Sequence, residues 1–77
     1  MNIEEFIEKF AFAIEADPAS LAPETNYKQL PQWDSLNTLS IIAMTDADYG
    51  ITLSGQAIND ARTIADLWAV VSGKAQA

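Results

Sequence analysis

Cysteine and histidine are both absent from the 77 residues of this chain. Without cysteine there can be no disulfide, no thiolate nucleophile and no thiolate metal ligand. Without histidine the commonest general base and the usual zinc ligand are missing, and so is the serine–histidine pair of many hydrolases. We therefore expect no metal site and no enzymatic activity.

Basic residues are scarce, with four against 11 acidic residues and a net charge of −7. Such a surface repels phosphate, which argues against nucleic acid and anionic membranes, and it suits partners with basic patches. No apolar run approaches the roughly 20 residues that span a bilayer, and residues 1–5 lack the basic start of a signal peptide. We expect a cytoplasmic monomer.

The first helix is predicted from the apolar residues that recur at helical spacing after Ile3. Asn2 is its predicted N-cap, with Glu5 three residues later as in a capping box. We expect the helix to end near Ala16, because Pro18 disfavours helical geometry at the residue that precedes it.

Residues 22–34 show no helical period, and a loop of this length in a small domain is usually functional or packed by its own side chains. A short capped turn at residues 17–21 precedes it. We expect this loop to be ordered against the rest of the chain through its apolar residues, which are Leu21, Tyr27, Leu30 and Trp33.

The second helix is predicted over residues 35–48, with Asp34 as N-cap and Gly50 as C-cap. Its side chains form two stripes, although a helix of a small bundle needs only one for the core. The core stripe is Thr38, Ile41, Ile42, Thr45 and Tyr49. The surplus stripe is Leu36, Leu39, Ala43 and Ala47, with Ser40 beside it.

Two further helices complete the predicted fold. Ser54 is the predicted cap of a short helix over residues 56–60. Thr63 is the predicted cap of a last helix, which carries Asp66 in its first turn and ends at Gly73. Residues 74–77 are expected to form a frayed tail. Trp68 is predicted to be core. The expected fold is all-α, a small bundle of three main helices plus one short helix, in one domain over residues 1–77.

Asp34-Ser35-Leu36 is the motif that points to chemistry, since it follows the long loop and opens an amphipathic helix. By itself an Asp-Ser pair at a helix start is ordinary capping. Together with further segments, in their order and spacing from Ile3 to Val71, it resembles the acyl and peptidyl carrier protein family. Those segments are Trp33, Tyr49-Gly50-Ile51, the short third helix and residues 63–67.

The resemblance implies an acyl-carrier-like four-helix bundle whose Ser35 receives 4′-phosphopantetheine from coenzyme A. In that family the aspartate corresponding to Asp34 helps a phosphopantetheinyl transferase present its metal ion and coenzyme A. The resulting phosphoprotein would carry acyl intermediates as thioesters to cargo-loading and cargo-processing enzymes, as in fatty acid or polyketide biosynthesis.

The resemblance also implies a docking face for those enzymes, formed by Leu36, Leu39, Ser40, Ala43 and Asp46. Fatty-acid carriers usually have acids where this chain has Asn37, Ser40 and Ala47, so we expect a specialised carrier. Asn37 and Ser40 are expected on the helix exterior, where acids could be restored with little effect on folding.

The cargo pocket that the resemblance implies lies between the second and third helices. The corresponding residues are Thr45, Leu53, Ile58 and Ala61. Thr45 stands where a large aliphatic residue is more common, which suggests a short or polar cargo. Alternatively, its hydroxyl only bonds a backbone carbonyl one turn earlier.

Three alternatives remain open. An aminoacyl or peptidyl carrier would have the same sequence features, because the loading enzymes choose the cargo. An unmodified acidic helical adaptor would explain the charge and the surplus stripe. A hydrolase using Ser35 would need a lysine as base, and no lysine has a recognisable spacing for that role.

Overall fold

The computed structural model describes residues 2–75 and confirms the predicted all-α bundle. Within these residues no strand occurs, and two short 3₁₀ helices, Pro18–Ser20 and Tyr27–Gln29, lie in the connection between the first two α-helices. None of the described helices is long and apolar enough to cross a membrane. The α-helices are α1 (Ile3–Ala13), α2 (Ser35–Tyr49), α3 (Gly55–Asp60) and α4 (Ile64–Ala75).

The core is formed where α1, α2 and α4 pack together, with α3 against α2. One apolar face of each helix supplies it, and the 22–34 segment adds the fully buried Tyr27. In α2 the buried residues are Ile41, Met44 and Thr45. Met44 was not in the predicted core stripe, and the other members of that stripe are partly buried. Leu30 and Trp33 are partly buried against the same core, so the loop is ordered as expected. The largest side chains without exposed surface are Phe6, Phe10, Tyr27, Ile41, Ile58, Ile64, Leu67 and Val71.

The predicted N-caps are all observed, because each bonds an amide close in sequence, although α3 begins at Gly55, one residue before the predicted start. Asn2 accepts from the Glu5 amide at 2.8 Å, and Ser54 accepts from the Ala57 amide at 3.1 Å. At the start of α4 the capping is reciprocal: Thr63 Oγ1 accepts from the Asp66 amide, and Asp66 Oδ2 accepts from the Thr63 amide.

The end of α1 differs from the expectation, since the helix stops at Ala13 and not near Ala16. Glu15 adopts a left-handed φ of 59°, and the Ala16 amide donates to the Ala11 carbonyl at 2.8 Å. The Glu15 amide donates to the Phe12 carbonyl, which completes a Schellman turn. The helix is therefore ended by its own C-cap, before Pro18 can act.

The expected end of α4 at Gly73, with a frayed tail after it, is wrong. The helix continues through Gly73 to Ala75, so Lys74 and Ala75 are helical and not a frayed tail; residues 76–77 lie outside the described residues. Gly73 has no left-handed φ and so does not terminate the helix.

Trp68, which was predicted to be core, is half-buried at the edge of the core, where the centroid of its ring is 5.1 Å from that of Phe6.

Candidate functional site

The site predicted from the motif lies at the start of α2. Asp34 is the N-cap, and its Oδ1 accepts from the Asn37 amide at 3.0 Å. Ser35 is the first residue of the helix and is exposed. No acidic residue lies in the first turn of α2 after the cap, so the free N–H groups and the positive end of the helix dipole remain available to an anion attached there.

The side chain of Asn37 ties this first turn to the preceding loop. Its Nδ2 donates to the Gln32 carbonyl at 2.6 Å, and Asn37 is half-buried. Asn37 was expected on the helix exterior; it is partly exposed there, and its bond to Gln32 is a contact that the sequence did not predict. An aspartate at this position would face the Gln32 carbonyl with an acceptor where the amide now donates.

Trp33 anchors the other side of the loop. Its ring stacks on Phe10, with centroids 6.2 Å apart and planes 4° from parallel. It also meets Tyr27 edge-on at 4.9 Å. Ser35 is therefore two residues away from an aromatic cluster that reaches the core of α1.

Tyr27 and Lys28 in turn connect this loop to α3. The Tyr27 hydroxyl donates to the Ile58 carbonyl at 2.5 Å, and Lys28 Nζ donates to the Asn59 carbonyl. Burial, with a smaller contribution from the nearby charge of Asp66, raises the pKa of Tyr27 to about 12. The hydroxyl thus remains a donor well above neutral pH.

A groove open to solvent lies directly beside Ser35, between α2 and the start of α3. Ile42 and Leu39 supply apolar surface, and Asn59 supplies a polar group opposite them. The lining residues are Trp33, Asp34, Ser35, Thr38, Leu39, Ile42, Gly55 and Asn59.

The four predicted cargo-pocket residues are all buried in the core, and none of them lines the groove beside Ser35. The hydroxyl of Thr45 donates to the Ile42 carbonyl at 3.0 Å, which is the backbone-bonding alternative. Cargo space lined by Thr45, Leu53, Ile58 and Ala61 remains a prediction. The groove is the space that the structure shows next to Ser35.

The predicted docking residues divide between two sides of α2. Leu36 and Leu39 are 68% and 62% exposed, and Leu39 faces the groove beside Ser35. Ser40 and Ala43 line a different groove, against α1. Asp46 is exposed on the second half of the helix.

Sequence reasoning missed three contributors: Asn37 as the tie to Gln32, and Gly55 and Asn59 as the far wall of the groove. Asn37 lies at the third helical position, where a polar side chain can reach back to the chain before the helix. Nothing local marks Gly55 or Asn59, since only the packing of α3 brings them near Ser35.

Comparison with family models and with curated proteins gives no match to this chain. The resemblance to carrier proteins is therefore carried by the motif and its setting alone.

Proposed function

We propose that this chain is a carrier domain whose Ser35 is modified with 4′-phosphopantetheine. The observation that carries the proposal is the position of Ser35: an exposed hydroxyl on the first turn of α2, directly after an aspartate N-cap and beside an open groove. A serine elsewhere on a protein surface would not combine a helix N-terminus, an aspartate N-cap and an adjacent groove.

The residues around Ser35 fit such a group. A phosphodiester on Oγ would lie next to the unpaired amides of the first turn, with no acidic side chain following in that turn. Within the described residues the Ser35 hydroxyl makes no hydrogen bond that modification would break. When attached, the arm supplies the thiol that this cysteine-free chain lacks, for linkage of cargo as a thioester.

The role of the chain in loading is to present one hydroxyl in a fixed place. Ser35 Oγ forms the bond to the phosphorus of phosphopantetheine, its proton passes to a base of the transferase, and the adenosine 3′,5′-bisphosphate part of coenzyme A leaves. Asp34 keeps the first turn formed through its bond to the Asn37 amide. Its second carboxylate oxygen remains available to the transferase.

We propose acyl intermediates as the cargo, with an aminoacyl or peptidyl cargo as the alternative. The docking side of α2 supports a dedicated pathway, because Asn37 and Ser40 carry no charge there. A cytoplasmic monomer that meets its enzymes transiently accords with the net charge of −7.

Intact mass spectrometry after incubation with coenzyme A and a phosphopantetheinyl transferase tests the proposal. The wild type should gain one phosphopantetheinyl mass, and Ser35→Ala should gain none. Ser20→Ala is the matched control, because Ser20 is also exposed but lies in a 3₁₀ helix; it should be modified like the wild type. A wild type refused by several transferases would remove the proposal and favour the unmodified adaptor.

A further inference from the structure

A second groove lies between α1 and α2, on a different side of α2 from the groove beside Ser35. Phe12 and Ala13 of α1 form one wall, and Ala43 and Met44 of α2 form the other. Phe12 is 87% exposed, the highest exposure of any large apolar side chain in the described residues. A single exposed phenylalanine would need no explanation, but Phe12 is continuous with the apolar walls of the groove, and a contiguous apolar patch marks an interaction site.

The charged residues that line this groove are two acids and one base, which give it a small net negative charge. Glu8 and Asp48 line it together with Lys9, which is 3.8 Å from Asp48. Glu8 makes no ion pair with another described residue. Across the groove the acidic groups therefore exceed the basic ones, as they do over the whole chain.

The apolar walls and the negative charge of the groove together limit which molecules can bind in it. Nucleic acid and anionic lipid are repelled by a net charge of −7, and a second copy would bring the same charge with it. A protein segment with apolar side chains flanked by lysine or arginine satisfies both the apolar walls and the acidic rim. An amphipathic helix presents such side chains at positions i, i+3, i+4 and i+7.

We infer that the groove lined by Phe12 and Ala43 is a docking site for a basic amphipathic helix of a partner protein. The site shares Ser40 and Ala43 with the docking face predicted for α2, but it includes α1 and has no lining residue in common with the groove beside Ser35. It does not depend on the modification of Ser35. Phe12 is the anchoring contact, because a large aromatic side chain gives most of the apolar area that a partner can cover.

Three synthetic peptides test the inference against the full chain. The first is a leucine–lysine amphipathic helix, the second replaces its lysines by glutamate, and the third replaces its leucines by serine. Binding is measured by calorimetry and located by NMR chemical shifts. The leucine–lysine peptide should bind, shift the signals of Phe12, Ala43 and Met44, and weaken with salt, since exposed charges are screened over about 10 Å at 0.1 M. The other two peptides should bind at least about tenfold more weakly.

Variants then separate this site from the rest of the surface. Phe12→Ser should weaken binding about tenfold while leaving the fold intact, because Phe12 packs little against the core. Glu8→Gln should weaken it less. Leu36→Ser is the comparison, as Leu36 is also exposed but lies outside this groove. Binding that is lost with Leu36→Ser and kept with Phe12→Ser would overturn the inference.

The oligomeric state provides an independent check. Sedimentation of the peptide-free protein should show a monomer at all concentrations. Self-association that disappears in Phe12→Ser would show that a second copy, and not a basic helix, covers the groove. Equal binding of the lysine and glutamate peptides would likewise remove the charge argument.

Discussion

At the scale of the residue, Glu15 is the one described non-glycine residue with a positive φ, at 59°. It occupies the C′ position of the Schellman turn after α1, where glycine is favoured because the left-handed region costs other residues roughly 1–2 kcal/mol. Glu15 is exposed, so its side chain has little packing to offset that cost.

Glu15→Gly should therefore raise the free energy of unfolding, by about 0.5–1 kcal/mol after the larger backbone entropy loss of glycine. Urea denaturation measures it. Gly50→Ala is the converse control, because Gly50 has a φ of 66° and an added Cβ would meet no atom within 4 Å. It should lower stability by about 1 kcal/mol through backbone strain alone. The two changes in the free energy of unfolding should have opposite signs, and changes of the same sign would contradict the explanation.

Asn37 gives a second prediction at this scale. Asn37→Asp removes the donor to the Gln32 carbonyl and places a second carboxylate near Asp34. The free energy of unfolding should fall by about 1 kcal/mol, although the helix dipole offsets part of the loss. Amide hydrogen exchange should show faster opening of the loop before α2.

The matched control is Ser40→Glu, which adds an acid one turn later. Ser40 makes only a bond within its own helix, to the Leu36 carbonyl at 3.1 Å. Its replacement should change stability by no more than about 0.5 kcal/mol. If Asn37→Asp is equally neutral, then Asn37 does not hold the loop.

At the scale of the element, α3 is a six-residue helix that depends on side chains from outside it. The buried hydroxyl of Tyr27 donates to the Ile58 carbonyl, and a second, longer contact of 3.4 Å reaches the Ala61 carbonyl. A short helix has little stability of its own. The wall of the groove beside Ser35 is thus fixed by tertiary contacts.

Tyr27→Phe should lower the free energy of unfolding by about 1–2 kcal/mol, because it leaves buried carbonyls without a donor. Tyr49→Phe is the control with the same chemical change: the Tyr49 hydroxyl is buried and has no partner among the described residues. Its removal should leave stability unchanged or slightly raised. Exchange of the α3 amides should quicken in Tyr27→Phe only.

The two buried tyrosine hydroxyls should also make the free energy of unfolding fall as the pH rises above about 10. Burial raises the pKa of Tyr27 to about 12, and burial with the charges of Glu5 and Asp48 also raises that of Tyr49. The unfolded chain loses these protons first, near pH 10, so the stability gained below that pH is lost as pH rises toward 12. Tyr27→Phe should flatten the decline seen in urea denaturation between about pH 10 and 12; an unchanged slope would contradict it.

At the scale of the whole molecule, the net charge of −7 is distributed unevenly with respect to the proposed site. The face around Leu36 and Leu39 has no acid within the first turns of α2, whereas Asp46 and Asp48 lie at its other end. Apart from Asp34, strongly basic fatty-acid enzymes would therefore meet few acids near Ser35. This charge distribution supports the proposal of a dedicated set of partners.

Ser40→Glu should raise the rate at which fatty-acid synthase enzymes accept the loaded carrier. The increase should be largest at low salt, since steering between exposed charges is screened over about 10 Å at 0.1 M. Steady-state rates with a fatty-acid acyltransferase, at two salt concentrations, measure it. Ser40→Gln is the uncharged control and should show no gain. A wild type that already works as well as a general fatty-acid carrier would contradict specialisation.

The sequence alone determined the four helices and their N-caps. Caps such as Asn2, Asp34 and Thr63 bond amides only three residues away, so local spacing is sufficient to predict them. The core faces followed largely from helical periodicity in the same way, although Met44 lies in the core outside the stripe predicted for α2. The sequence did not predict the end of α1, because Glu15 has no preference for the left-handed region that a reader of the sequence could use. It also placed the end of α4 too early, because Gly73 stays helical and does not act as a C-cap.

Only the tertiary structure decided what surrounds Ser35 and what lies beside Phe12. Asn59 is 24 positions from Ser35 and Ala43 is 31 positions from Phe12 by their residue numbers, yet each pair lines one groove. The angle and depth at which helices pack depend on how all their side chains interlock. That information belongs to no single segment, and for this reason the grooves appear only when the bundle is assembled.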